Sequence, residues 1–173
     1  MQLWSKVNEK IVYDGYRKVL RRTFELPNGE VADFDVIKSG AGAAILAVTE
    51  ENRILCFRQF RPGPEDILFE LPGGVIDEGE EPATAMRREL LEETGYEATI
   101  EHIGSYYRDA YITGKWQMFV GQEAKKVSEP KLEATEFGEL TLLSVTEFKE
   151  KLFAGLMSDT TLGYAALHHL DML

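Results

Sequence analysis

The stretch GGVIDEGEEPATAMRRELLEETGY, residues 73–96, decides how this chain is read. Its first half has the composition of a loop and its second half the period of a helix. Ala83, Met86, Leu90 and Leu91 recur at three- and four-residue spacing, Pro82 suits a first helical turn, and Gly95 stands where a helix ends on a left-handed residue. The spacing predicts a helix of about three to four turns over 81–94. Glu89, Glu92 and Glu93 fall at i, i+3 and i+4, so three carboxylates share one face, and like charges so placed weaken a helix by roughly 0.2–0.5 kcal/mol per pair. Arg88, four residues before Glu92, is one compensating group. A divalent cation is the other, because hard oxygen ligands suit magnesium or manganese. A solvated acidic face is the alternative reading of the same charge run. Between Asp77 and Glu97, eight acids stand against Arg87 and Arg88 alone, so more than half of the chain's net charge of −11 lies in this segment.

Just upstream, Leu71-Pro72-Gly73-Gly74 forms a backbone that can approach a ligand closely, since glycine puts no side chain in the way. Further out, AGAAILAV (41–48) and RILCFRQF (53–60) are nearly continuous apolar runs, as expected of central strands covered on both faces. Pro27-Asn28-Gly29 marks a tight turn that folds the segment 10–26 back onto 31–38 as an N-terminal antiparallel element. Downstream, EATIEHIGSYYR and KWQMFVGQEA alternate like strands, with Trp116, Met118 and Val120 on one face and Gln117 and Phe119 on the other. ELTLL (139–143) reads as one more strand. Thr146 or Ser144 can cap a helix through about 154, and Ser158 or Asp159 another to about 170. The sum is an α+β fold, a mixed sheet with a few helices. Residues 1–38 form the N-terminal β element and 39–173 the main domain.

The whole chain has 173 residues, enough to bury roughly 70% of its unfolded surface as one domain. Thirty acidic against 19 basic side chains argue against non-specific nucleic-acid binding, which needs clustered cations. Cys56 is the one cysteine, so no intrachain disulfide forms and a reducing compartment fits. No apolar run reaches the 18 residues of a membrane span, and the N-terminus alternates where a signal peptide would be continuously apolar. A soluble, cytoplasmic protein is expected, with neither membrane nor nucleic acid as partner.

The segment 74–96 matches G-x5-E-x7-R-E-U-x-E-E-x-G-U, where U is a bulky apolar residue, through Gly74, Glu80, Arg88, Glu89, Leu90, Glu92, Glu93 and Gly95. The chain therefore resembles the Nudix hydrolase family, with Tyr96 standing where an aliphatic residue is usual. The resemblance implies an α/β/α sandwich and a substrate in which a nucleoside diphosphate is linked to another group. By motif position, Glu89 and Glu93 would be the principal ligands of Mg2+ or Mn2+, Glu92 an auxiliary one and the Gly73 carbonyl a backbone ligand. Arg88 would orient the glutamates and Glu80 brace the loop. Clustered carboxylates also suit, on their chemistry alone, a metal that offsets charge on transferring phosphoryl oxygens.

The flanks FRQFRPG and FELPGG, with the long N-terminal element, resemble the branch that hydrolyses ADP-ribose and nucleotide sugars. That branch implies a homodimer in which N-terminal elements are exchanged and each active site borrows residues from its neighbour. ADP-ribose hydrolases often carry a proline downstream of the box; none occurs from Tyr96 to Glu129, where Ala110-Tyr111-Ile112 takes its place. The substrate class is thus a nucleoside diphosphate sugar, cleaved to a nucleoside monophosphate and a sugar phosphate. NADH, a modified triphosphate, or sensing of a nucleotide sugar without cleavage are the alternatives. Arg58 and Arg61 are candidate diphosphate clamps, because guanidinium pairs with phosphate oxygens in a fork. Glu136 is the candidate base in a loop that also carries Glu133 and Glu139. Tyr106, Tyr107, Tyr111 and Trp116 could stack a base or belong to ordinary packing. His102, His168 and His169 lack a nucleophile partner, and Cys56 reads as a small buried side chain.

Overall fold

Strands fill the chain up to its first helix, and loop-forming residues separate them. The computed structural model describes residues 2–132 and 137–173. In chain order the strands are β1 (Ser5–Asp14), β2 (Lys18–Glu25), β3 (Val31–Lys38), β4 (Gly42–Thr49), β5 (Arg53–Arg61), β6 (Asp66–Glu70) and β7 (Gly73–Val75). Helix α1 (Pro82–Thr94) follows, then β8 (Tyr96–Tyr107), β9 (Lys115–Lys126), β10 (Gly138–Ser144), α2 (Val145–Phe153) and α3 (Thr160–His169). Two compact units result, one of Met1–Ala41 with Tyr107–Lys115, the other of Gly42–Tyr106 with Trp116–Leu173.

The first unit is an antiparallel meander in the order β1-β2-β3. The single arm expected over 10–26 is in fact two strands, broken at Gly15-Tyr16-Arg17, and the arm opposite β3 is β2 alone. Asp14-Gly15 supplies ordinary turn chemistry at this reversal, a local signal that the expectation of one continuous arm left unused. At the expected turn Gly29 has φ +83°, a conformation glycine adopts without a side-chain clash. The outer edge of β3 is taken by the segment 107–115: Ile37 N–H donates to Tyr111 O at 2.8 Å and Thr113 N–H to Ile37 O at 3.0 Å. Trp4, Phe24 and Phe34 stack pairwise at 5.6–6.2 Å on one face of this sheet.

The second unit is layered. Its sheet runs β10-β5-β4-β9-β8, with β4 parallel to β9 and antiparallel to β5. β4 is buried along its whole length. Alternation sends Ala44, Leu46, Val48, Ile54, Cys56, Met118 and Val120 to the face covered by Phe148 and Leu152 of α2 and Leu162 and Leu167 of α3. The opposite face carries Ala43, Ile45, Leu55 and Phe119 against Met86 and Leu90 of α1. Each fully buried aliphatic side chain contributes about 1.5–3 kcal/mol relative to exposure. This is the expected α/β/α sandwich, with the faces of β9 as its alternation foretold.

β4 and β5 pair only beside their turn, at Val48 and Ile54, and then part. β6 joins β5 along Phe57–Arg61, and β7 joins β4 along Gly42–Ala44. Leu71-Pro72 links these two short strands where the sheet has opened, and Ile45 N–H donates to the Pro72 carbonyl at 3.0 Å.

Candidate active site

Helix α1 begins with Pro82 inside its first turn and ends on Gly95 at φ +73°, as its sequence foretells. Its polar face lies along the Gly73-Gly74 backbone. A side chain at 73 would meet the Ala43 carbonyl at 2.1 Å, so only glycine lets β7 lie this close to β4. A Cβ at 74 would come within 2.6 Å of the Glu89 carboxylate. Glu93, one turn on, accepts the Gly73 N–H at 2.8 Å. Two carboxylates of one helix face thus rest on one glycine pair.

Arg88 gathers the remaining charge. Its Nε and Nη2 donate to the two oxygens of Glu80 at 3.2 and 3.1 Å, and its Nη1 to Glu89 at 2.8 Å and Glu92 at 3.2 Å. The hydrogen bond from Arg88 holds the Glu80 carboxyl below its ordinary range, and Glu80 in turn raises the guanidinium. Glu80 also accepts the Asp77 N–H at 3.2 Å, while its own N–H donates to Asp77 O at 3.0 Å, which closes the loop ahead of α1. Glu92 is the more exposed of the two helix glutamates bound here, its side chain 48% accessible against 16% for Glu89.

The two candidate clamps part company. Arg58 reaches Glu139 of β10 at 3.7 Å. Arg61 forks onto Glu70, Nε to Oε1 at 2.6 Å and Nη2 to Oε2, and Gln59 donates to the same carboxylate at 2.9 Å. Glu70 raises the Arg61 pKa most, with the charges of Asp159 and Glu93 adding to it, so Arg61 lies within electrostatic reach of Glu93 on α1. Buried Glu70 and Asp159 are the two groups that sequence reasoning missed. Glu70 had a local signal, a lone acid inside the apolar run 67–71; Asp159 had only its capping position.

Glu136, with Glu133, lies outside the described residues. On one flank of that segment Lys131 N–H donates to Glu92 O at 2.7 Å, and on the other Gly138 pairs with Gln59 of β5. Tyr106 and Trp116 pack on the core beneath α2 and α3, whereas Tyr107 and Tyr111 belong to the first unit, Tyr107 under the Lys115 ammonium at 4.5 Å. His102 bonds Gln117 at 2.9 Å. Cys56 is fully buried, and burial pushes its thiol up to about 12, the property of an inert packing group.

Among the described residues no three His, Cys, Asp or Glu side chains converge as a formed metal centre. The donor set nevertheless fits a hard divalent cation. Glu89 and Glu93 offer only oxygens, sit one turn apart, and lean on the same glycine pair in a space that a Cβ at 74 would fill.

A NUDIX domain model matches residues 38–160, the span from the end of β3 to the start of α3. The chain belongs to the Nudix family. An ADP-ribose pyrophosphatase of Bacillus subtilis (strain 168) is 31% identical over 144 residues, 82% of this chain and 78% of that protein. A GDP-mannose pyrophosphatase of Cronobacter sakazakii is 27% identical over 181 residues, 96% of this chain and 94% of its own. In fold, a crystal structure of an ADP compounds hydrolase superposes at a TM-score of 0.79 over 100% of this chain and 98% of that one, at 18% identity. This Nudix chain is accordingly a pyrophosphohydrolase, with its box carried by the 73–74 turn and α1.

Proposed function

We propose that this enzyme hydrolyses the diphosphate bond of a nucleoside diphosphate sugar to a nucleoside monophosphate and a sugar phosphate. The observation that carries the reading is the seating of Glu89 and Glu93 against Gly73-Gly74, where the sheet opens. Relatives named for ADP-ribose and for GDP-mannose support the substrate class. Glu89, Glu92, Glu93 and the Gly73 carbonyl would hold Mg2+ or Mn2+. Such an ion, when bound, offsets charge on the diphosphate oxygens and lowers the pKa of a coordinated water. Arg88 keeps the carboxylates apart and oriented, and Arg61, held rigid by Glu70, presents its outer edge to a phosphate. Glu136 takes the proton as water oxygen bonds to phosphorus and the bridging P–O bond breaks, its electrons leaving with the second phosphate. The anchoring of both flanks of its segment, at Glu92 O and at β5, supports that role.

Residues 1–38 act, in this reading, as a dimerisation element and 39–173 as the hydrolase domain. All ten residues of β1 are exposed, Val7, Ile11 and Tyr13 among them, and β1 is an edge of its sheet. Such an edge is a template for pairing with a second copy. The buried, reduced Cys56 fits a cytoplasmic setting, and among the described residues no helix is long and apolar enough to cross a membrane. The test is a product analysis over ADP-ribose, GDP-mannose, UDP-glucose, NADH and damaged nucleoside triphosphates with Mg2+. Monophosphate plus sugar phosphate from a sugar nucleotide supports the reading, and cleavage confined to NADH or triphosphates overturns it.

A further inference from the structure

Asp159 stands at the N-cap of α3, a position where aspartate ordinarily accepts an amide of its own helix. Its carboxylate makes no such bond. Oδ2 instead accepts the N–H of Leu71 at 3.3 Å, 88 residues away in sequence and inside the protein. The chain around it is built for that reach. Between α2 and α3 a short connector carries exposed Leu156 and Ser158 alternating with buried Met157 and Asp159. It is stitched to β6 in parallel: Phe69 N–H donates to Leu156 O at 2.9 Å, and Ser158 N–H to Phe69 O at 3.3 Å.

The target of this strap is the turn under the box. Leu71-Pro72-Gly73 has only two amide donors, because proline has none. Gly73 N–H goes to Glu93 of α1, and Leu71 N–H to Asp159 at the head of α3. The turn is therefore held by two carboxylates from helices that cover opposite faces of the sheet. One belongs to the Nudix box. The other sits at a helix N-terminus, where a negative charge is favoured, and interacts with Arg61.

We propose that Asp159 is a positioning residue: by fixing Leu71 it sets where Gly73 and Gly74 meet Glu89 and Glu93, and so tunes metal affinity and turnover. The inference rests on the metal-dependent hydrolysis proposed above. Asp159→Ser keeps a good helix cap but is too short to reach Leu71, and Asp159→Glu keeps the charge but displaces the acceptor by one methylene. Asp159→Asn retains an oxygen at the same distance. Three readouts apply: amide exchange at Leu71, Mn2+ binding to the nucleotide-free protein by titration calorimetry, and kcat with ADP-ribose as probe. Ser and Glu variants should exchange faster at Leu71, bind Mn2+ more weakly, and lose roughly 10- to 100-fold in kcat, as outer supports of ligands do, while Asn restores most of each. Native Mn2+ affinity in either Ser or Glu, or a loss in Asn equal to theirs, overturns the proposal. Should the intact enzyme leave ADP-ribose uncleaved, the substrate reading fails by itself, and Leu71 exchange with Mn2+ affinity still decides the role of Asp159.

Discussion

Gly74 and Glu80 show how single residues hold this site. The three atoms nearest a methyl group at 74 would all belong to the end of the Glu89 side chain, from 2.6 Å, a flexible group that can shift. Gly74→Ala should therefore fold with a melting temperature near that of the parent, yet displace Glu89 and reduce turnover roughly 10- to 100-fold. Thermal melting beside steady-state kinetics checks this; an equal loss of both would mean that the fold, not the ligand, depends on the glycine. Glu80 makes a pH-dependent contribution. Its carboxyl titrates below the ordinary glutamate value of 4.5 because Arg88 hydrogen-bonds the ionised form. The stability it supplies is complete above about pH 4.5, where the unfolded chain is also ionised, and is lost as pH falls through the lower folded pKa. Chemical denaturation of Glu80→Gln should show a deficit against the parent at neutral pH that closes in acid. A gap constant down to pH 3 would contradict the Arg88 assignment.

At the scale of elements, α1 and its glutamates are legible because every signal is local: apolar period, Pro82, Gly95 and the three acids lie within one short window. β6 and β7 were not. Five and three residues long, they are strands only because β5 and β4 part and leave edges to be filled, and glycine at 73 and 74 reads as loop until the Ala43 carbonyl is seen against it. The Arg61–Glu70 fork and the Leu71–Asp159 bond depend on tertiary approach over 9 and 88 residues, which no periodicity encodes. The first turn of the N-terminal meander was legible in Asp14-Gly15, a local turn signal that the reading of one continuous arm passed over. Helix α2 has a full local signal. Ser144 Oγ accepts Glu147 N–H at 3.2 Å, and Glu147 returns a bond to Ser144 N–H at 2.7 Å. Ser144→Ala should cost about 0.5–2 kcal/mol. That is a fall of roughly 1–8 °C in melting temperature for a chain of this size, with kcat unchanged. A kcat that falls with it would place α2 in the catalytic machinery.

For the whole molecule, the exposed β1 edge leads to one expectation and the box to another. Static light scattering of the intact chain at micromolar concentration should give twice the monomer mass, and Ile11→Lys, on the 49% exposed Ile11 of β1, should give the monomer mass. A monomeric parent would refute the dimer and leave the active-site account standing. The central claim is that carboxylates on α1 work through a divalent cation on a sugar nucleotide. Its most direct measurement is the rate of nucleoside monophosphate release from ADP-ribose and GDP-mannose in Mg2+, repeated in excess chelator. The account predicts release from at least one of them in Mg2+, abolished by chelator and restored when Mg2+ is returned. Release that continues undiminished in chelator would contradict it.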